Sequence, residues 1–233
     1  MKTPYHHPVL GEITVNRSSR ARRISVSVRP SGVTLTLPPR HPLADALAFA
    51  ESKRDWIEQA RIRAQKRVTP KRTILPPYRT RLHELEVGYG EKAGFVVRDG
   101  MIRVVFPGDW PLEGAEAQQL IRKAVTESFR AEARQLLPQR VAELAAAHGF
   151  RYTGLTFRNA VSRWGSCSGR DSISLSIHLM QLPGHLVDYV ILHELCHTRQ
   201  KNHGPKFHAL LEQVTGGKHR FLNNELKTYT PRW

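Results

Sequence analysis

The run "VILHELCHTRQKNHGPKF", Val190 to Phe207, sets three histidines and a glutamate directly behind an apolar stretch that begins at Leu186. A segment that apolar is driven into the interior, and interior imidazoles and carboxylates are costly unless something satisfies them. In an α-helix, residues four apart lie one turn apart on the same face, so His193 and His197 aim two imidazoles at one point. Glu194 is offset by about 100° from His193, so its carboxylate reaches a water at that point rather than the point itself. This is the H-E-x-x-H arrangement of metallohydrolases: two ligands and a general base. The alternative is a set of core side chains bonded to one another, but a metal ion resolves the burial cost directly. Gly204 and Pro205 are read as stopping the helix, and His203 just before them is the favoured third ligand. His208, His219 and Glu212 compete with it.

The rest of the chain is read by its periodicity. "RISVSVRPSGVTLTLP" alternates Ile24, Val26, Val28 and then Val33, Leu35, Leu37 around a turn at Arg29-Pro30-Ser31-Gly32, which predicts a β-hairpin. From Leu43 to about Lys66, Leu47, Phe49, Ala50, Trp56, Ile57 and Ala60 recur at helical spacing, which predicts one basic amphipathic helix. Pro70 and Pro76-Pro77 break the chain after it, and "HELEVGYG" and "FVVRDGMIRVVFP" predict short strands. His83-Glu84 opens like the metal motif, but position 87 is Val, so a strand is expected there. Residues 113–148 turn helical, with Leu120, Ala124 and Phe129 on the apolar face, Pro138 as a break or a new start, and Gly149 as the stop. "YTGLTFR" and "SISLSI" predict strands on either side of the Gly-Ser-rich "RWGSCSGR", and a second helical block starts near Pro183.

Composition matters for partners and compartment. Lys and Arg number 36 against 20 acids, and residues 1–72 hold 15 basic and 5 acidic residues, net +10 of the total +16. Such a field attracts nucleic acid, nucleotides or other polyanions, although recognisable nucleic-acid motifs are absent. Apolar runs such as "LVDYVIL" end well before the ~18 residues a membrane span requires, and "MKTPYHHPVL" lacks a signal-peptide core. A cytoplasmic protein with no membrane partner is expected. Cys167 and Cys196 fit a reducing compartment, and neither belongs to a C-x-x-C pair. Cys167 has no identifiable Asn or Asp partner for a nucleophile and Cys196 has better metal ligands beside it, so both read as structural thiols.

"HELCHTRQKNHGPKF", preceded by "RWGSCSGRDSISLSIHLMQLPGHLVDYVIL", resembles the YgjP-like metallopeptidase domain, a relative of the SprT-like and Wss-type zinc proteases. In that family a W-G-S-C motif precedes a strand, a helix carries H-E-L-C-H, and the histidine of an N-H-x-x-x-F segment completes the zinc site. These match Trp164 to Cys167, His193 to His197, and Asn202-His203 through Phe207. "RRISVSVRPSGVTLTLP" extends the likeness into the front half. The chain departs from the family at Ser176, where Asn is common, and at His208, where Trp is usual, which keeps His208 a ligand candidate.

The expectation is an α+β protein: a zincin-like catalytic half at residues 113–233 and a β-rich basic N-terminal half at 1–112. The resemblance implies Zn²⁺ held by His193, His197 and His203, Glu194 as general base, and polypeptide substrates. Tyr189, one turn before His193, and Arg158 and Arg163, flanking W-G-S-C, are candidate contacts to substrate or a developing oxyanion. Two other classes stay open. A metal-dependent nucleotide phosphohydrolase, of the nucleoside triphosphate pyrophosphatase type, would suit the basic charge, but such chemistry prefers carboxylate ligands. A nucleic-acid-associated module with a structural zinc would need a fourth protein ligand.

Overall fold

Two compact units, Met1–Lys71 and Arg72–Trp233, make up the chain. The structure, a computed structural model, describes residues 2–66 and 73–231; Pro70, expected to act as a breaker, lies outside them. The division falls well before the expected boundary at 112/113. The reason is packing: the strands at residues 84–106 bury Leu85, Ile102, Val104 and Phe106 in one cluster with Ile121, Val125 and Phe129 of the helix after them.

The first unit is a four-stranded sheet with two helices. Its strands are β1 (Lys2–His7), β2 (Gly11–Arg17), β3 (Ser25–Arg29) and β4 (Gly32–Leu37), in spatial order β1-β2-β4-β3. The β3–β4 hairpin forms as predicted, with Val28 opposite Val33 and Val26 opposite Leu35. Ile13, Val15, Val33, Leu35 and Leu37 bury one face of the sheet with Ala46, Ala50 and Ile57. The helix expected over 43–66 is two helices, α1 (Leu43–Glu51) and α2 (Arg54–Lys66). Between them Ser52 caps α1, its N–H bonding the Ala48 carbonyl at 2.9 Å and its hydroxyl donating to the Phe49 carbonyl at 2.8 Å. The strands β1 and β2 were not foreseen. Pro4 and the His6-His7 pair obscure their alternation, and Pro4 is tolerated because β1 is an edge strand.

In the second unit β5 (Glu84–Tyr89), β6 (Gly94–Arg98) and β7 (Met101–Phe106) form a sheet ordered β5-β7-β6. The 33-residue helix α3 (Ala115–Ala147) packs across it. Pro138 neither breaks nor restarts this helix. Its missing N–H would have bonded Arg134, and both residues are exposed, so the freed carbonyl faces the solvent side. Gly149 stops the helix as read: at φ 66° it lets its own N–H reach the Ala146 carbonyl and the Phe150 N–H reach that of Ala145.

The second sheet of this unit holds β8 (Gly154–Arg158), β9 (Gly165–Cys167) and β10 (Ser172–Ser176), ordered β8-β10-β9. Ile173 and Leu175 of β10 face the core and Ser172 and Ser174 are half-buried, the alternation seen in the sequence. A short 3-10 turn (Ile177–Gln181) leads into α4 (Gly184–Arg199), then α5 (Pro205–Val214) and α6 (His219–Leu226). α4 buries Leu186, Val190, Ile191, Leu195 and Cys196 against the core. Gly204 and Pro205 do not end α4, which stops at Arg199; Pro205 opens α5, where its fixed φ suits a first helical turn. The fold class is α+β. Among the described residues no helix is long and apolar enough to cross a membrane.

Candidate metal centre

The burial of α4 brings imidazoles into a region where water is scarce, and its last turns decide their aim. His193 and His197 lie one turn apart, with ring centroids 5.0 Å apart. Beyond the helix end the chain turns back through Lys201 and Asn202, and the His203 Nε2 comes to 3.1 Å from that of His193 and 3.2 Å from that of His197. Among the described residues, His193, His197 and His203 are the group whose ligand atoms converge, all within 4.8 Å of one another. His208, His219 and Glu212 do not join it. The exposed His208 ring is 6.5 Å from that of His203 and 5.4 Å from that of His219.

The surroundings hold these rings in place. His197 Nδ1–H donates to the Gln200 carbonyl at 3.0 Å, a bond that leaves the Nε2 lone pair for the centre. The fully buried Phe207 backs all three rings, stacked on His197 at 4.5 Å and edge-on to His193 and His203 at 5.0 and 4.7 Å. Lys201 ties the returning loop to the β9–β10 turn, donating to the Ser168 carbonyl and pairing with Asp171. Burial, reinforced by the neighbouring imidazoles, pushes His193 down to about 3, so its ring is neutral at physiological pH. Three convergent imidazoles beside a carboxylate fit a divalent ion.

Glu194 is 5% exposed, and its Oε2 has no hydrogen-bond partner among the described residues. Burial pushes its carboxyl up to about 7, opposed by the charge of Arg163. A buried carboxylate oxygen of this kind calls for a donor, which a water at the centre would supply. The carboxylate lies against the backbone of β9: a Cβ added at Gly165 would sit 2.6 Å from Oε1 and 2.7 Å from Cγ. Only glycine leaves room there.

The remaining candidates divide. Arg158 and Arg163 line one cavity of about 220 Å³ with Ser162, Ser166 and Ser174. Tyr189 is 1% exposed, its hydroxyl bonded to His219 Nδ1 at 3.0 Å, and burial pushes it up to about 12. It packs near His193, with ring centroids 6.4 Å apart. Cys196 is a buried free thiol and Cys167 a half-buried one, consistent with packing roles. The reading of the sequence missed the parts played by Gly165, Phe207 and the Gln200 carbonyl. The glycine inside a strand was a usable signal of close backbone approach.

Set against known proteins, the chain matches the YgjP-like metallopeptidase domain over residues 22–229. No curated protein matches it. Among solved structures it is similar to the metallopeptidase zymogen of Pyrococcus abyssi, abylysin, at 17% identity and TM-score 0.36, covering 40% of this chain and 93% of that one. It is also similar to the metallopeptidase zymogen of Methanocaldococcus jannaschii, jannalysin, at 21% identity and TM-score 0.35, covering 39% of this chain and 93% of that one.

Proposed function

Because the chain belongs to the YgjP-like metallopeptidase family, which implies a divalent metal, we propose that it hydrolyses peptide bonds with zinc held by His193, His197 and His203 and with Glu194 as general base. The observation that carries this reading is the convergence of three imidazole Nε2 atoms, with the residue after His193 burying a carboxylate oxygen that has no partner among the described residues. An all-imidazole donor set suits zinc better than magnesium or calcium, and three protein ligands leave a position open, the pattern of catalytic rather than structural sites. When bound, the ion supplies Lewis acidity, which acidifies water and polarises a carbonyl oxygen.

The chain's own residues do the rest. Gln200 and Phe207 hold the imidazoles in register, so the ligand geometry is set before substrate arrives. Glu194 takes the proton of a water at Oε2 and returns it to the leaving amine, its carboxylate aimed by contact with Gly165. Arg163, whose charge already acts on Glu194, and Arg158 in the same cavity contact the substrate or its developing oxyanion. Tyr189 keeps its bond to His219 and serves the packing of α4.

The test is zinc stoichiometry in single variants, with an unfolded polypeptide and a nucleoside triphosphate offered in parallel to the wild type. His193→Ala, His197→Ala and His203→Ala are each expected to lose stoichiometric zinc, and His208→Ala and His219→Ala to keep it. Zinc retained in His203→Ala but lost in His208→Ala would reverse the ligand assignment. Cleavage of the triphosphate alone would overturn the substrate class.

A further inference from the structure

Strand β3 lies at the edge of the four-stranded sheet and pairs with β4 on one side only. No other described backbone bonds to Ser25–Arg29, so a row of N–H and C=O groups faces outward. Such an edge is a template for another strand, and proteins commonly blunt or cover it. Here α2 packs against β3, but no backbone among the described residues pairs with its outer edge. A groove of about 660 Å³ runs beside it, floored by Ile24, Val26, Phe49 and Trp56 and rimmed by Arg23 and Lys53. The break between α1 and α2 at Ser52 and Lys53 leaves Phe49 and Trp56 exposed at the groove, 37% and 49% respectively.

Single exposed aromatics are ordinary, but two beside an unpaired strand edge form a continuous apolar wall. The charged side chains that line it have one sign. No carboxylate lines the groove, neither Arg23 nor Lys53 has an ion-pair partner among the described residues, and residues 1–72 carry net +10. We infer that this groove takes an extended acidic polypeptide segment, which adds to β3 as a fifth strand. Its backbone completes the ladder, its apolar side chains at alternate positions cover Val26, Phe49 and Trp56, and its carboxylates meet Arg23 and Lys53. A single-stranded nucleic acid would stack on the aromatics and neutralise the basic rim. It has no regular N–H and C=O row to satisfy β3, so the free edge favours the peptide. The surface belongs to the first unit, and its occupancy is read as binding, independently of the proposed hydrolysis.

The experiment is fluorescence anisotropy with the full-length protein and a labelled nine-residue peptide in which Asp alternates with Val and Phe. Two versions N-methylated on opposite alternate residues, and an oligothymidine of fifteen nucleotides, complete the set. Saturable binding is expected, with one N-methylated version weaker by about tenfold or more and the other nearly unaffected, because only one set of N–H groups faces β3. Trp56→Ala and Lys53→Glu, each with an unchanged circular dichroism spectrum, should each weaken binding by about tenfold. Equal binding of both N-methylated versions would overturn strand addition. Tighter binding of the oligothymidine, displacing a peptide that is indifferent to N-methylation, would make the groove a nucleic-acid surface instead.

Discussion

At the residue scale, the position that separates a working site from a merely folded one is Gly165. A methyl group there would lie 2.6 Å from Glu194 Oε1, well inside contact distance, so either the carboxylate or β9 must shift. Gly165→Ala is therefore expected to keep zinc, since no ligand touches Gly165, and to lose about 100-fold or more of peptide hydrolysis, the scale of a displaced general base. Wild-type turnover in this variant would show that Glu194 is not positioned by β9. The sequence made His193, Glu194 and His197 legible because their relation is local to one helix. His203 was legible through its place before Gly204-Pro205 and through the family motif, although the helix stop invoked for it lies five residues earlier. Gly165 and Phe207 act across elements far apart in the chain, which periodicity does not register.

At the element scale, the long helix α3 organises the second unit, and two of its residues give opposite forecasts. Pro138 costs the helix one backbone bond at an exposed turn, and Pro138→Ala should raise stability by about 1 kcal/mol or more in denaturant unfolding. An unchanged or lower midpoint would mean that the cost of the pyrrolidine ring is offset by other contacts it makes in the folded state. Glu132, fully buried, accepts through Oε1 from the Leu82 N–H at 2.9 Å, the His83 ring at 2.9 Å and the Thr80 hydroxyl. Glu132→Ala strips three donors of their partner at once and should cost on the order of 3 kcal/mol. A loss below about 0.5 kcal/mol, the usual range for surface changes, would contradict that role. This also explains why His83-Glu84 only mimics the metal motif: His83 anchors the loop before β5 to α3. Helical and strand periods were readable wherever a face is buried, as in α3, α4, β4 and β10. They failed at the turn of Ser52 and Lys53 that divides α1 from α2, and where polar residues mask β1 and β2.

At the scale of the whole molecule, acid should unfold the chain partly through His178. Its ring is 2% exposed, bonded through Nε2 to Asn159 Oδ1 at 2.7 Å and through Nδ1 to Gln181 Nε2 at 2.8 Å, a pairing that only the neutral tautomer satisfies. Burial pushes it down to about 4 from an ordinary value near 6.5. The neutral form is thus favoured by folding, and its contribution is complete above about 6.5 and falls by up to ~1.4 kcal/mol per pH unit as pH drops toward 4. His178→Gln should flatten that slope when both proteins are measured in chelator; an unchanged slope would assign the acid sensitivity to other groups. The expected boundary at 112/113 followed a change of period from strand to helix, whereas the folded division follows shared burial, which places β5 to β7 with α3. The central claim is that this second unit is a zinc-dependent hydrolase with Glu194 as its base, and Glu194→Gln tests it most directly because it keeps the volume and removes the base. Zinc content and peptide hydrolysis measured together on that variant are expected to show stoichiometric zinc with turnover reduced by about 100- to 10,000-fold; loss of zinc, or turnover equal to wild type, would contradict the account.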